Sequence, residues 1–369
     1  MNKLLFIILF ISQLGYANNG IEISILTCSP GQEIYSAFGH TAIRIIDQDN
    51  ATDKVYNFGI FNFGAPNFTY NFVKAKLQYD KSVENTAGFI DDYTSENRLV
   101  SEQTLNLTIQ EKNKFMEQLA VLYLPQNKKY VYGFLKKNCS TETRDLLRTI
   151  GINFQRQNLK ETNRDLINGY LNNLPWLRLG IHLILGQSLD MYSTHFQSMF
   201  LPDYLRIELR NTYLNGRVLV KSEQDLNVIE IQNDSSVHIP YLPLFTFSVL
   251  FVILLFWFPK SLRILLCLAI GLTGLLMTTM WLFSGHPEVK TNLNILWCNP
   301  LYLLYIPLLI QKKSNKILNI IVISTWVASI CIWLLEWQVF DVAVAPLLLI
   351  IGLFHFKIIR RKKLIYQGL

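Results

Sequence analysis

From about residue 239 the chain turns almost continuously apolar, and no other feature limits its fold as much. Five apolar segments stand near residues 241–258, 263–283, 295–311, 317–335 and 340–356. Each approaches the length that crosses about 30 Å of hydrocarbon as a helix. Backbone groups in lipid must be satisfied within the protein, which a helix does by itself. Residues 239–358 are therefore expected to form an all-α membrane domain of five transmembrane helices, followed by a basic cytoplasmic tail over 359–369. The third segment is short and holds Pro300 and Pro307, so a kink or a re-entrant turn is expected there.

Charge gives the orientation. The chain carries a formal net charge of +7, with 50% hydrophobic residues. Much of the excess lies in short clusters between the apolar segments: Lys260 with Arg263, then Lys312, Lys313 and Lys316, then Lys357 and Arg360 to Lys363. Such clusters mark cytoplasmic loops. They also account for the positive charge without nucleic acid, which is not expected as a partner. The intervening loops hold Lys290 beside Glu288, and Glu336 with Asp341. They are expected to face outward, as is everything before residue 239.

The N-terminus agrees independently. Lys3 is followed by the apolar run Leu4 to Ile11, with small residues at Gly15 and Ala17, as in an export signal. Cleavage is expected after Ala17; the alternative is an uncleaved anchor. Residues 18–238 then form one exported domain, large enough for its own core. The expected location is a bacterial inner membrane, multi-pass, with this domain in the periplasm.

Within it, strands are expected at 21–26, 40–46, 54–58, 77–84 and 98–107. Short helices are expected at 32–38, 66–76 and 86–96. Thr108 and Glu111 form a capping box ahead of a helix to about Tyr123. Another helix runs from about Ser140 to Ile150, closed by Gly151. The remainder, to about 220, reads as mostly helical. The class is α+β.

Two cysteines, Cys28 and Cys139, fall in the exported part. A disulfide between them is one reading, since the compartment permits it. No CxxC pair exists, so neither a zinc site nor any other metal or cofactor is expected. The other reading makes Cys139 a nucleophile. A thiol attacks only as thiolate, and its pKa of about 8.5 must fall for that near neutrality. A helix N-terminus and a neighbouring imidazole both lower it. Cys139 stands at a predicted helix start, and His40 opens a predicted strand that would hold its ring rigidly. His182, His195 and His238 lack that setting.

A histidine opening a strand in Phe38-Gly39-His40-Thr41-Ala42-Ile43, with Asn138-Cys139 much later at a helix start, resembles the circularly permuted papain-like superfamily. Lecithin:retinol acyltransferase-like and NlpC-type enzymes belong to it. More narrowly, Cys28-Ser29-Pro30-Gly31, Tyr56-Asn57-Phe58-Gly59, Asn138-Cys139-Ser140-Thr141 with Arg144-Asp145, Phe200-Leu201-Pro202, Gly285-His286-Pro287 and Asn292 through Pro300 resemble the Bacteroidota-type lipoprotein N-acyltransferase (Lnb) family. The resemblance covers nearly the whole chain. It implies a cysteine acyltransferase. Cys139 would take an acyl chain from a membrane phospholipid, with His40 as base, and pass it to the α-amine of a diacylglyceryl-cysteine lipoprotein. Asn57 or Tyr56, with Glu33 behind them, would orient His40, and Asn138 would support the site or only cap the helix.

Rival readings are a membrane-tethered NlpC-like peptidase or amidase of the cell wall, a phospholipase or thioesterase using the same pair, and a non-catalytic scaffold. A tether needs only one helix, which counts against the first. In the outer loop between Trp281 and Trp297, His286, Asn292, Asn294 and Asn299 are candidates for binding a lipid headgroup or the acceptor. An ordinary polar loop is the alternative.

Overall fold

The computed structural model describes residues 20–60, 64, 66–230 and 241–366. The expected signal segment, residues 1–17, lies outside them. The chain forms two compact units. One comprises residues up to 65, 78–157 and 194–232; the other comprises 66–77, 158–193 and 233–369. The exported segment expected as one domain over 18–238 is thus shared between them. Its 66–77 and 158–193 stretches fold with the apolar helices.

The first unit is built on a seven-stranded antiparallel sheet: β1 (Ile21–Cys28), β2 (His40–Asp47), β3 (Thr52–Ile60), β4 (Gln78–Asn85), β5 (Val100–Leu105), β6 (Lys129–Val131) and β7 (Val220–Asp225), in the order β7-β5-β1-β2-β3-β4-β6. The central strands alternate, with both faces apolar. Ile21, Ile23 and Ile25 point into one core with Ile43, Ile45 and Phe58; Leu26 and Cys28 point into the other with Ala42, Val55 and Val100. A period of two sends neighbours to opposite faces, so both faces need covering. Helix α1 (Thr86–Ser95) covers the second face with Phe89, Ile90 and Tyr93. Helices α2 (Ile109–Leu122), α3 (Cys139–Thr149) and α4 (Pro202–Arg210) cover the first with Phe115, Leu119, Leu146, Leu147, Leu205 and Leu209. Each fully buried Leu or Phe contributes about 1.5–3 kcal/mol of apolar transfer.

Two local expectations fail. Residues 32–38 form consecutive turns rather than a helix: Ser36 N–H donates to Glu33 O at 3.0 Å, and Gly39 N–H to Ser36 O at 3.0 Å. The cause is topological. Cys28 stands opposite His40 in adjacent strands, so the chain must double back within the connection. The stretch before 220 is also less helical than expected. Short strands at Asn158–Thr162, Tyr192–Thr194, Tyr213–Leu214 and Arg217–Val218 interrupt it, and Val220–Asp225 adds β7 to the sheet edge.

The second unit is a helix assembly: α5 (Leu242–Phe256), α6 (Lys260–Phe283), α7 (Lys316–Leu334) and α8 (Val344–Tyr366), with short 3-10 turns and a helix at Tyr305–Ile310 between α6 and α7. Of the described residues, α6 and α7 are long and apolar enough to cross a membrane. The pair Pro287–Leu296 and Pro300–Ile310, bent by 46°, makes a third span if it counts as one. The bend falls where the prolines predicted a break. Helix α5 has 15 residues, or about 22 Å at 1.5 Å per residue, short of the hydrocarbon thickness. A five-span count is therefore more than the helix lengths themselves carry. Gly274 lets α6 meet the 298–300 turn; a Cβ there would lie 2.0 Å from Cys298 O.

Candidate active site

Helix α3 begins at Cys139 because Asn138 caps it. Asn138 Oδ1 accepts from Thr141 N–H at 2.9 Å, and Thr141 Oγ1 accepts from Asn138 N–H at 2.7 Å. The Asn138 amide also donates to Phe134 O at 2.7 Å and Phe200 O at 2.8 Å. Both amide hydrogens and the side-chain oxygen of Asn138 take part in holding the helix start, so the structure places Asn138 as the cap of α3.

His40 opens β2 directly after Gly39, whose φ is +77°. A side chain there would meet Cys28 O at 2.7 Å, so only glycine turns the chain into the strand at this point. Thr41 Oγ1 and Ser140 Oγ share a hydrogen bond of 2.7 Å, which fastens β2 to α3 beside the two candidate groups. His40 and Cys139 lie close enough for the charge on each to shift the other's titration.

On the ring's other side, His40 Nε2 lies 2.5 Å from Asn57 Oδ1. That contact leaves Nδ1 for the sulfur. Asn57 pairs with Ala42 in the β2–β3 register, which puts it on the face that carries His40. Its amide donates to Glu84 Oε1 at 2.9 Å, fixing which end faces the imidazole. Tyr56, one residue back, faces the opposite core and packs edge-on against Tyr123. Glu33 is exposed, and its backbone carbonyl accepts from Ser36 within its own turn. Of the three residues expected to orient His40, the structure brings only Asn57 to it.

The electrostatics follow from this contact. Burial opposes charge on both partners. The attraction between a Cys139 thiolate and a His40 imidazolium leads the effects that outweigh it. Asn57 helps to raise His40 above the ordinary histidine value. Thr41 N–H and the Ser140 hydroxyl help to hold Cys139 below the ordinary thiol value. The arrangement shifts both groups towards the ion pair, the form in which a cysteine is nucleophilic. Cys28 differs: burial pushes its thiol far up. Both cysteines are free thiols, so the disulfide alternative is not what the fold adopts.

Two residues had no sequence signal. Glu84 holds Asn57 across the strand pair. Tyr93 stacks on His40 with ring centroids 6.5 Å apart and 15° between planes. The rival histidines are otherwise occupied: His182 with Asn168 at 2.7 Å and His195 with Glu208 at 2.5 Å. His238 lies outside the described residues. Among the described residues, no cluster of three His, Cys, Asp or Glu side chains could hold a metal ion.

In the second unit the four outer-loop candidates separate. Asn292 Nδ2 donates to Leu183 O at 2.7 Å and Ile184 O at 2.9 Å. Asn294 Nδ2 donates to His182 O at 2.9 Å, and its Oδ1 accepts from Trp297 Nε1 at 3.0 Å. Asn299 Oδ1 caps the next turn through Leu301 N–H at 2.9 Å. All three are buried and hydrogen-bonded to protein groups. His286 Nε2 lies 2.8 Å from Phe72 O and holds the 66–77 segment.

A helix-borne cysteine paired with an asparagine-held histidine, in a chain whose second half is apolar helices, defines a membrane protein with a Cys-His-Asn constellation. Residues 13–171 match the family model of the Lnb N-terminal periplasmic domain, and residues 232–363 match that of the Lnb transmembrane domain. The chain belongs to the Lnb family, and so is a membrane protein with a periplasmic domain, associated with lipoprotein maturation. Membership points to an enzymatic role. No curated protein and no solved structure matches the chain.

Proposed function

We propose that the protein is a lipoprotein N-acyltransferase of the inner membrane, with its first unit a circularly permuted papain-like domain and its second a five-helix transmembrane domain. The observation that carries this is the Cys139–His40–Asn57 constellation, in which Cys139 and His40 are each shifted towards the charged form.

The Cys139 thiolate attacks an ester carbonyl of a phospholipid. The backbone N–H of Cys139 stands in the first turn of α3, where no intrahelical acceptor exists, and is free to stabilise the oxyanion. As the tetrahedral adduct collapses, the ester C–O bond breaks. The His40 imidazolium gives its proton to the leaving alkoxide, and a lysophospholipid departs. Cys139 now holds the acyl chain as a thioester. The α-amine of a diacylglyceryl-cysteine lipoprotein attacks that carbonyl, and His40, now neutral, takes a proton from the amine. The C–S bond breaks, the amide forms, and the thiolate–imidazolium pair is restored. Amide formation from a thioester is downhill, so the cycle needs no nucleoside triphosphate.

The test is mass spectrometry of lipoprotein N-termini from cells lacking the protein, rescued with wild type or Cys139→Ala. The expected result is triacylated termini with wild type and diacylated termini with Cys139→Ala. Triacylated termini in the Cys139→Ala cells overturn the mechanism. Altered cell-wall peptides with normal lipoproteins would favour a peptidase or amidase instead. Released fatty acid without acylated lipoprotein would favour a phospholipase or thioesterase.

A further inference from the structure

The second unit contains a cavity of about 50 Å³ that the acyl-transfer reading does not use. It gathers residues distant in sequence: Arg263 from the first turn of α6, Lys312, Lys313 and Ser314 from the turn before α7, and Tyr305 and Asn319 behind them. Its other walls are apolar, from Leu308, Leu309 and Ile358. Three cations line it, and none of its lining residues is a carboxylate. Lys312 and Lys313 form no ion pair among the described residues.

The polar wall is ordered. Tyr305 Oη donates to Asn319 Oδ1 at 2.9 Å, and Asn319 Nδ2 reaches Ser314 Oγ at 3.4 Å. The turn is set by Lys312 at φ +58°, with Lys313 N–H returning to Leu308 O at 2.9 Å. Asn315 caps α7 through Leu318 N–H at 3.1 Å, so the partial positive end of a 19-residue helix adjoins the cavity. Lys260, from the adjoining first turn of α6, is fastened to Ile310 O at 3.2 Å. Sequence clusters expected to face the cytoplasm therefore converge at one end of the unit.

We propose that this cavity binds the headgroup of an anionic phospholipid from the cytoplasmic leaflet. The cations and the helix terminus suit a phosphodiester, and basic pockets between membrane helices on that side take such headgroups. The Leu308, Leu309 and Ile358 wall suits the start of the acyl chains, which free phosphate lacks. The site is separate from the acyl-donor chemistry at Cys139 and stands whether or not that chemistry does.

The test is native mass spectrometry of the purified full chain in detergent. It is titrated with phosphatidylglycerol, with phosphatidylethanolamine and with inorganic phosphate. Wild type should retain phosphatidylglycerol at least tenfold more tightly than phosphatidylethanolamine. Lys312→Gln with Lys313→Gln should weaken phosphatidylglycerol about thirtyfold, roughly fivefold per charge, leaving phosphatidylethanolamine unchanged. Arg263→Gln should weaken phosphatidylglycerol about fivefold, which keeps the test valid if the double variant misfolds. The exposed Lys160→Gln should change neither lipid. Equal retention of the two lipids by wild type, an equal loss in Lys160→Gln, or displacement of phosphatidylglycerol by millimolar inorganic phosphate overturns the proposal.

Discussion

Replacing Asn57 with alanine removes one hydrogen bond and tests the ion pair directly. The contact from His40 Nε2 to Asn57 Oδ1 is 2.5 Å, and Asn57 is buried, so water does not readily replace it. A hydrogen bond to a charged group contributes about 1.5–3 kcal/mol. At about 1.4 kcal/mol per pKa unit, that is roughly one to two units. The sign follows from which form Asn57 stabilises. It accepts from the imidazolium, so its loss lowers the His40 pKa. A less persistent imidazolium then lets the Cys139 pKa rise. The assay is iodoacetamide alkylation of the full chain across pH 5–9, quantified on the peptide containing Cys139, because Cys331 is also exposed. Wild type should react through an inflection below the ordinary thiol value of about 8.5. Asn57→Ala should move the inflection up by one to two units and slow alkylation near pH 6 by roughly 10- to 100-fold. Glu84→Gln keeps Asn57 but loosens its orientation, and should fall between the two. Profiles for wild type and Asn57→Ala that coincide within about twofold would refute the reasoning.

Gly39→Ala places a Cβ 2.7 Å from Cys28 O at a φ of +77°. It should cost about 1–2 kcal/mol in backbone strain plus the clash, and abolish the accelerated alkylation of Cys139; wild-type rates would show that Gly39 does not set the strand entry. Glu223 is held at about 2: burial opposes this, but hydrogen bonds from Arg210, Gln103 and Arg206 prevail. A depressed folded pKa contributes stability that is present above the unfolded value of about 4.3 and is lost as pH falls towards about 2. Calorimetric melting should therefore drop over that window in wild type and drop less in Glu223→Gln; equal slopes would reject the assignment. Truncation after residue 230 removes Asp341 from Arg178 and the Asn292 and Asn294 side chains from the carbonyls of residues 182–184. Limited proteolysis should then cut within 158–193 while sparing β1 to β5, and continued protection of 158–193 would show that it folds independently.

The strands around the site were legible because their apolar alternation is dense and their ends are marked by turns. Ile21, Ile23 and Ile25, and then Ile43 and Ile45, admit little other than paired strands. The capping signals were equally local: Thr108 with Glu111 forms its predicted box, and Asn138 caps α3. Register was not local. Whether Asn57 or Tyr56 faces His40 depends on the β2–β3 pairing, and a shift of one residue exchanges their faces. Glu84 depends on a further pairing, β3 with β4, and so had no signal at all. At the boundary near 238, composition marks where lipid-compatible sequence begins. It does not mark which polar segments fold against it. Residues 158–193 are too polar to look like part of a membrane unit, yet Arg164 with Asp190 and Arg178 with Asp341 are buried pairs within it.

The outer-loop asparagines show why polar residues among apolar helices have two readings. In a low-dielectric setting an unsatisfied amide is costly, so such a residue is kept either for a ligand or because it closes a backbone gap. Residue type cannot separate these; the count of occupied donors and acceptors can. Asn292 spends both amide hydrogens on the carbonyls of residues 183 and 184, and its oxygen accepts from Asn294 and Gln338. Nothing remains to meet a headgroup. The same count gives the opposite answer at Cys139. His40, Thr41 N–H and Ser140 all act to lower its pKa. They stabilise the thiolate and leave its lone pairs directed at whatever carbonyl arrives. At the cavity of the second unit the count differs again. Lys312 and Lys313 bring charge with no carboxylate among the described lining residues, beside a helix start that adds to the same sign. Like charges gathered beside an apolar wall suit a ligand that is both anionic and partly apolar.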